Sequence, residues 1–146
     1  MEIRALAEAD IDAVLQLWLE TEGVEVAEGD SPSGIASYLA RNPGLSKVAV
    51  IERQIVGAVL CGHDGRRGFI YHLTVRESHR GTGVGRQLVK LCLRDLQSCR
   101  IERVLALVAS DNVPGRAFWI AAGFEEIAGA SAFGIDIPWT PRVHQG

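Results

Sequence analysis

The residues best placed by type and spacing to do chemistry form one short run, His79-Arg80-Gly81-Thr82-Gly83-Val84-Gly85-Arg86. Three glycines at alternate positions remove side chains, so backbone N–H groups can converge on an anion. A helix is predicted from Arg86 onward, adding unpaired N–H groups and the positive end of its dipole. Arg80 and Arg86 can supply charge at the rim. Together these parts make a pyrophosphate cradle. Two other phosphate loops fail on position. A Walker A loop needs GxxxxGK[ST], and Arg86-Gln87 misses its last two places. The dinucleotide fingerprint GxGxxG, counted from Gly81, meets Arg86 where its third glycine belongs. A glycine-rich helix start also has a purely structural reading.

A second constellation follows: Ser110-Asp111-Asn112, then Ala117-Phe118-Trp119 and Ala122-Gly123-Phe124. Taken alone it reads as a capped turn, an amphipathic helix and a glycine stop. Metal chemistry has no such support. Cys61, Cys92 and Cys99 carry no CxxC spacing, and His63, His72, His79 and His144 form no i, i+4 pair. No metal is therefore expected, and the odd number of thiols suits a reducing, cytoplasmic setting.

The elements that position these residues can be read from periodicity. Ile3 to Leu6 alternates and suits a first strand. Ile11, Val14, Leu15, Trp18 and Leu19 then form one helical stripe, with acidic residues at its start. Glu20 to Asp30 (ETEGVEVAEGD) breaks the periodicity and holds five acids with no base. Ser31-Pro32 reads as an N-cap and first helical position, with Ile35, Tyr38 and Leu39 facing inward until Asn42-Pro43-Gly44. Strands at Lys47–Glu52, Ile55–Cys61 and Phe69–Val75, joined by tight turns, form an antiparallel meander. A helix over Arg86–Arg100 buries Leu88, Val89, Cys92 and Leu96. Val104 to Val108 is a continuous apolar run, the pattern of a strand buried on both faces. A short helix over Pro114–Ala122 ends at Gly123, and strands at Phe124–Ile127 and Ala132–Ile137 close the sheet. The expected fold class is one α/β domain over residues 1–146, a mixed sheet with helices on both faces.

Composition agrees. A chain of 146 residues with 47% hydrophobic and 23% charged residues can bury a core without staples. Its net charge of −3 gives no reason to expect nucleic acid as a partner. No apolar run approaches the roughly 18–20 residues that cross a bilayer, so no membrane partner is expected. The acidic, alternating N-terminus does not read as a secretory signal.

The two constellations at this separation closely resemble the GNAT N-acetyltransferase superfamily. The resemblance covers nearly the whole chain, because the order of elements also matches. There the R-x-x-G-x-G/A loop, here Arg80-Gly81-Thr82-Gly83-Val84-Gly85, grips the pyrophosphate of acetyl-CoA. The later segment, here Asn112, Ala117, Phe118-Trp119 and Gly123-Phe124, borders pantetheine and thiol. The stretch Gly62–Gly68 before Tyr71-His72-Leu73-Thr74-Val75 is most similar to the small bacterial YpeA-like branch. The resemblance implies that the Phe69–Val75 and Val104–Val108 strands run parallel and splay apart. Leu73 and Val75 would then offer backbone groups to the pantetheine amides. It implies direct attack of an amine on the thioester in a ternary complex, with a base for the ammonium proton. Many members dimerise, so a homodimer is expected.

Two features depart from the family pattern. The usual general acid is a tyrosine after the phenylalanine, and Trp119 stands there; an indole N–H donates but is no proton source near neutral pH. The base is open between two residues. By the period-2 rule, matching Val75 to the family's terminal valine turns Phe69, Tyr71 and Leu73 toward the substrate cleft and His72 away. His72 is the right chemical type, and a β-bulge would change its facing. Tyr71 is better placed but a poor base. His72 also has a structural reading, as a core or hydrogen-bonded histidine. Glu20 to Asp30 borders the acceptor site in this family, so it either selects a cationic amine, with a carboxylate available as base, or is a solvated loop. Arg66 and Arg67 read as a solvated turn or a structural salt bridge. The expected function is acetyl-CoA-dependent N-acetylation of an amine acceptor. A non-catalytic acyl-CoA-binding module is the alternative that Trp119 keeps open, and a nucleotide-binding regulator is a third with only the glycine loop behind it.

Overall fold

The computed structural model describes residues 1–138; the last part of the expected domain, residues 139–146, lies outside the described residues. Strands β1 (Glu2–Ala5), β2 (Lys47–Ile51), β3 (Gln54–His63), β4 (Gly68–Val75) and β5 (Val104–Ala106) form a single sheet in the order β1-β2-β3-β4-β5. Helices α1 (Ile11–Leu19) and α2 (Pro32–Arg41) follow β1. Helix α3 (Val84–Ser98) joins β4 to β5, and α4 (Val113–Ala121) follows β5. The first four strands pair antiparallel, as short turns demand, and β4 and β5 pair parallel across the α3 crossover. This is the mixed sheet that the sequence predicts.

Two cores lie on opposite faces. On one, Val14 and Trp18 of α1 and Ile35 of α2 pack with Val48, Ala58 and Leu60. On the other, Leu88, Val89, Cys92 and Leu96 of α3 pack with Val56, Val59, Cys61 and Ile70, flanked by Phe118 and Trp119 of α4. Adjacent strand residues alternate between the two, so the meander carries apolar residues on both sides. The capping signals hold. Ser31 Oγ accepts from Gly34 N–H at 3.1 Å, opening α2 behind Pro32.

The α1 stripe is rotated from its expected setting. Ile11, Val14, Leu17 and Trp18 are buried, whereas Leu19 is 67% exposed and Leu15 half-buried. At about 100° per residue Leu19 and Leu17 flank the stripe on opposite sides. Leu17 rather than Leu19 joins the α1–α2 core, beside Trp18, whose indole N–H donates to the His72 carbonyl on β4.

The end of the chain departs further. Strand β5 has only three residues, all half-buried, and is an edge of the sheet rather than a strand covered on both faces. Neither Phe124–Ile127 nor Ala132–Ile137 forms a strand. Phe124 is consumed by the α4 cap: Gly123 takes φ +97°, and Phe124 N–H donates to Trp119 C=O at 3.0 Å. Glu125 and Glu126 pair with Arg103 and Arg116. Phe133, Ile135 and Ile137 stay exposed, and among the described residues no strand pairs with the outer edge of β5.

Candidate active site

The parallel pairing of β4 and β5 is confined to Gly68–Ile70 against Val104–Ala106. Past Ile70 the two strands part, and β4 runs on to Val75 without a ladder on that side. Arg76 N–H donates to Val56 C=O on β3 at 2.7 Å. Backbone groups alternate in direction along a strand, so those of Val75 and Leu73 face the opened side. Arg80 reaches into it: its Nε donates to Val75 C=O at 3.0 Å.

The glycine run follows directly. Gly81 and Gly83 have φ of +77° and +90°, a left-handed conformation that glycine adopts without penalty. A β-carbon on either would meet nothing within 4 Å, so both face open space. Helix α3 starts at Val84, two residues before the expected Arg86, with Gly83 as its N-cap residue. The first helical bond runs from Gln87 N–H to Gly83 C=O, so the N–H groups of Val84, Gly85 and Arg86 precede the ladder. Thr82 Oγ1 donates to His79 C=O, closing the turn beneath them. Gly85 has a different task. A β-carbon there would stand 3.3 Å from the Phe118 ring, so this glycine lets α4 pack against α3. The Arg86 guanidinium donates to Ala121 C=O at the end of α4, at 3.3 Å.

Helix α4 supplies the other expected residues. Asn112 Oδ1 accepts from Gly115 N–H at 3.0 Å and so caps the helix. Trp119 is wedged between Phe118 and Phe124, with ring centroids at 5.4 and 4.8 Å, and packs against the α3-side core.

A bulge in β4 decides how the two candidate bases face. Ala58 pairs with Thr74 and Leu60 with Tyr71, so His72 and Leu73 together oppose the single residue Val59. His72 takes φ +53°, uncommon for a residue with a side chain. Its carbonyl accepts from the Trp18 indole N–H at 3.1 Å and from Thr74 Oγ1 at 3.0 Å. The extra residue puts Tyr71 and His72 on the same face, toward α1 and α2, while Leu73 and Val75 pack toward α3. The strict alternation expected for Phe69, Tyr71 and Leu73 is thereby broken at Leu73. Tyr71 stacks on Phe69 and meets Tyr38 edge-on. Burial pushes its phenol above the ordinary tyrosine range, which keeps the proton on.

The His72 ring lies 4.9 Å from the Trp18 ring, and its Nε2 is 2.9 Å from Asp30 Oδ2. That contact was not legible from the sequence. Asp30 is one of five acids between α1 and α2, and nothing in composition separates it from the rest. In the structure they divide. Glu22, Glu25 and Glu28 are exposed, Val24 and Val26 sink onto the α1–α2 core, and Asp30 turns inward. The segment also reaches α4, because a β-carbon on Gly23 would lie 3.8 Å from Asn112 Nδ2. Arg66 and Arg67 behave as a turn, donating their N–H groups to Asp64 Oδ1.

Comparison with known proteins agrees with this geometry. Residues 11–124 match the acetyltransferase (GNAT) family. An acetyltransferase of Pectobacterium atrosepticum is 32% identical over 112 residues, 77% of this chain and 79% of that one. The chain belongs to the GNAT acetyltransferase family. Among solved structures, Ard1 from Thermoplasma volcanium shares the fold with a TM-score of 0.78 at 22% identity, covering 87% of this chain and 84% of its own. A predicted acetyltransferase from Clostridium acetobutylicum, solved with acetyl-CoA, gives a TM-score of 0.73 at 17% identity, over 91% and 95% of the two chains.

Proposed function

We propose that this chain transfers the acetyl group of acetyl-CoA to a primary amine by direct attack within a ternary complex. The observation that carries the reading is the parting of β4 from β5 beside the glycine start of α3. The residues present fit the cofactor. Gly81 and Gly83 leave space over the N–H groups of Val84, Gly85 and Arg86, where a pyrophosphate would sit, with Thr82 bracing the turn. Leu73 and Val75 would offer backbone groups to the pantetheine amides, and Arg80 would release Val75 C=O to turn its charge toward phosphate. When bound, acetyl-CoA supplies an activated thioester carbonyl. Phe118 and Asn112 shape the α4 wall of the channel.

The acceptor approaches from the α1–α2 side, where the bulge presents His72 and Tyr71 together. An ammonium acceptor must lose a proton before its nitrogen can attack. His72 is the residue that takes it, directly or through a water, and Tyr71 lines the same wall. Trp119 supplies no proton, so the leaving thiolate is protonated from solvent.

Initial rates measured while acetyl-CoA and amine are both varied test this reading. A ternary complex gives intersecting double-reciprocal lines. Parallel lines, the mark of an acetylated enzyme, would overturn it.

A further inference from the structure

We infer that Asp30 is a positioning residue for His72, fixing which ring nitrogen accepts the acceptor's proton; this rests on the reading of His72 given above. An ionised carboxylate only accepts hydrogen bonds, so at 2.9 Å from Asp30 Oδ2 the His72 Nε2 carries the hydrogen. Nδ1 is then the nitrogen with a free lone pair. The proton passes from R–NH3+ to Nδ1, leaving R–NH2 and an imidazolium whose charge faces the Asp30 carboxylate. The imidazolium returns the proton to solvent afterwards, so the step balances without another reactant.

Three observations hold the pair in this arrangement. Asp30 is itself oriented, since Oδ2 also accepts from Ala27 N–H at 3.1 Å. It directly precedes Ser31, the N-cap of α2, which fixes the backbone on that side. On the other side the bulge holds His72 through the Trp18 and Thr74 bonds to its carbonyl. The side chains are 21% and 14% exposed, so the pair is sheltered yet open to a small ligand. Among the described residues, the groups facing the ring are Trp18 from α1 and Asp30 from the α1–α2 segment, whereas Thr74 bonds the backbone carbonyl of His72. Glu22, Glu25 and Glu28 share that segment but are exposed and make no bond to it. Glu20 lies 3.9 Å from Arg76 instead. Among the described residues, Asp30 is therefore the single carboxylate bonded to His72.

Nitrogen-15 spectra of the histidine rings, recorded above their titration, read the tautomer without any substrate. Wild type is expected to show His72 with hydrogen on Nε2 alone. In Asp30→Ala the signal should move toward a mixture of both tautomers. In Asp30→Asn, where an amide oxygen still accepts, it should keep Nε2–H, and this variant also guards against a folding defect. In steady state Asp30→Ala should lower kcat about 10–100-fold, part of what a general base contributes, with KM for acetyl-CoA unchanged. Adding Asp30→Ala to His72→Ala should cost little more, as for residues that act as one unit. An unaltered tautomer in Asp30→Ala, or a kcat within about twofold of wild type while His72→Ala is impaired, would overturn the role of Asp30 alone. A fully active His72→Ala would remove the base reading and this inference with it.

Discussion

His72 sits where a residue with a side chain is not expected, at positive φ, and the cost of about 1 kcal/mol or more is met by bonds to its own carbonyl. Because no glycine marks the bulge, the period-2 rule points His72 the wrong way. Trp18 reads from the sequence as a core residue, and nothing there shows that its indole N–H reaches β4. If His72 takes the acceptor's proton, His72→Gln should lower kcat by about 10²-fold while circular dichroism stays native. Tyr71→Phe should change kcat by less than about threefold, since burial already keeps that phenol protonated. A larger loss in Tyr71→Phe would assign the base to the wrong residue. Trp119 is a packing residue in this fold. Trp119→Phe should keep most of the activity, and Trp119→Ala should lower stability by about 2–4 kcal/mol in denaturant titration through lost contacts with Phe118 and Phe124.

At the scale of elements, the glycine run was legible as a cradle, but its three glycines were not separable. Gly83 needs its left-handed backbone, whereas Gly85 needs room for Phe118. Gly83→Ala should therefore destabilise by about 1–2 kcal/mol from backbone strain and also weaken acetyl-CoA binding in calorimetry. Gly85→Ala must push the Phe118 ring by a few tenths of an ångström and should loosen α4 first. Equal loss of acetyl-CoA affinity in both would mean that the run acts as one unit. The segment between α1 and α2 is legible as acidic and, through the family resemblance, as bordering the acceptor site, but not as to which of its acids turns inward. Its exposed acids suit a cationic acceptor: Glu25→Gln with Glu28→Gln should raise KM for such an amine more than it lowers kcat, and the difference should shrink at high salt. The two closing strands that the sequence suggests do not form. Alternation in Ala132–Ile137 is a strand pattern, but alternation alone does not say whether a segment docks on an open edge, and here it does not join β5.

Across the whole molecule, α3 is tied to the sheet by a charge pair as well as by the core. Lys47 on β2 bonds Asp95 on α3, with the lysine side chain 8% exposed. Burial raises the Asp95 carboxyl, yet the Lys47 ammonium and the Arg94 guanidinium together outweigh it and hold the group below its ordinary value of 3.8. A folded-state value below the unfolded one means that this stabilisation is complete above the unfolded value. It is lost as the pH falls through the folded one. Melting temperature should thus drop more steeply below about pH 4 in wild type than in Asp95→Ala, which itself should cost about 2–4 kcal/mol by stranding the lysine. Acetyl-CoA should raise the melting temperature by several degrees near saturation, since about 100-fold excess over Kd contributes about 2.7 kcal/mol. ATP or NAD at equal concentration should do much less, because neither the Walker nor the dinucleotide spacing is present.

The most direct test is an amine panel incubated with acetyl-CoA, following free thiol and acetylated amine together. Acetyl transfer requires thiol release that depends on the amine, matches acetylated product mole for mole and falls in His72→Gln. Tight acetyl-CoA binding by calorimetry, with no acetylated product across a broad panel of small amines, polyamines, peptide N-termini and lysines, would contradict it and leave an acyl-CoA-binding module.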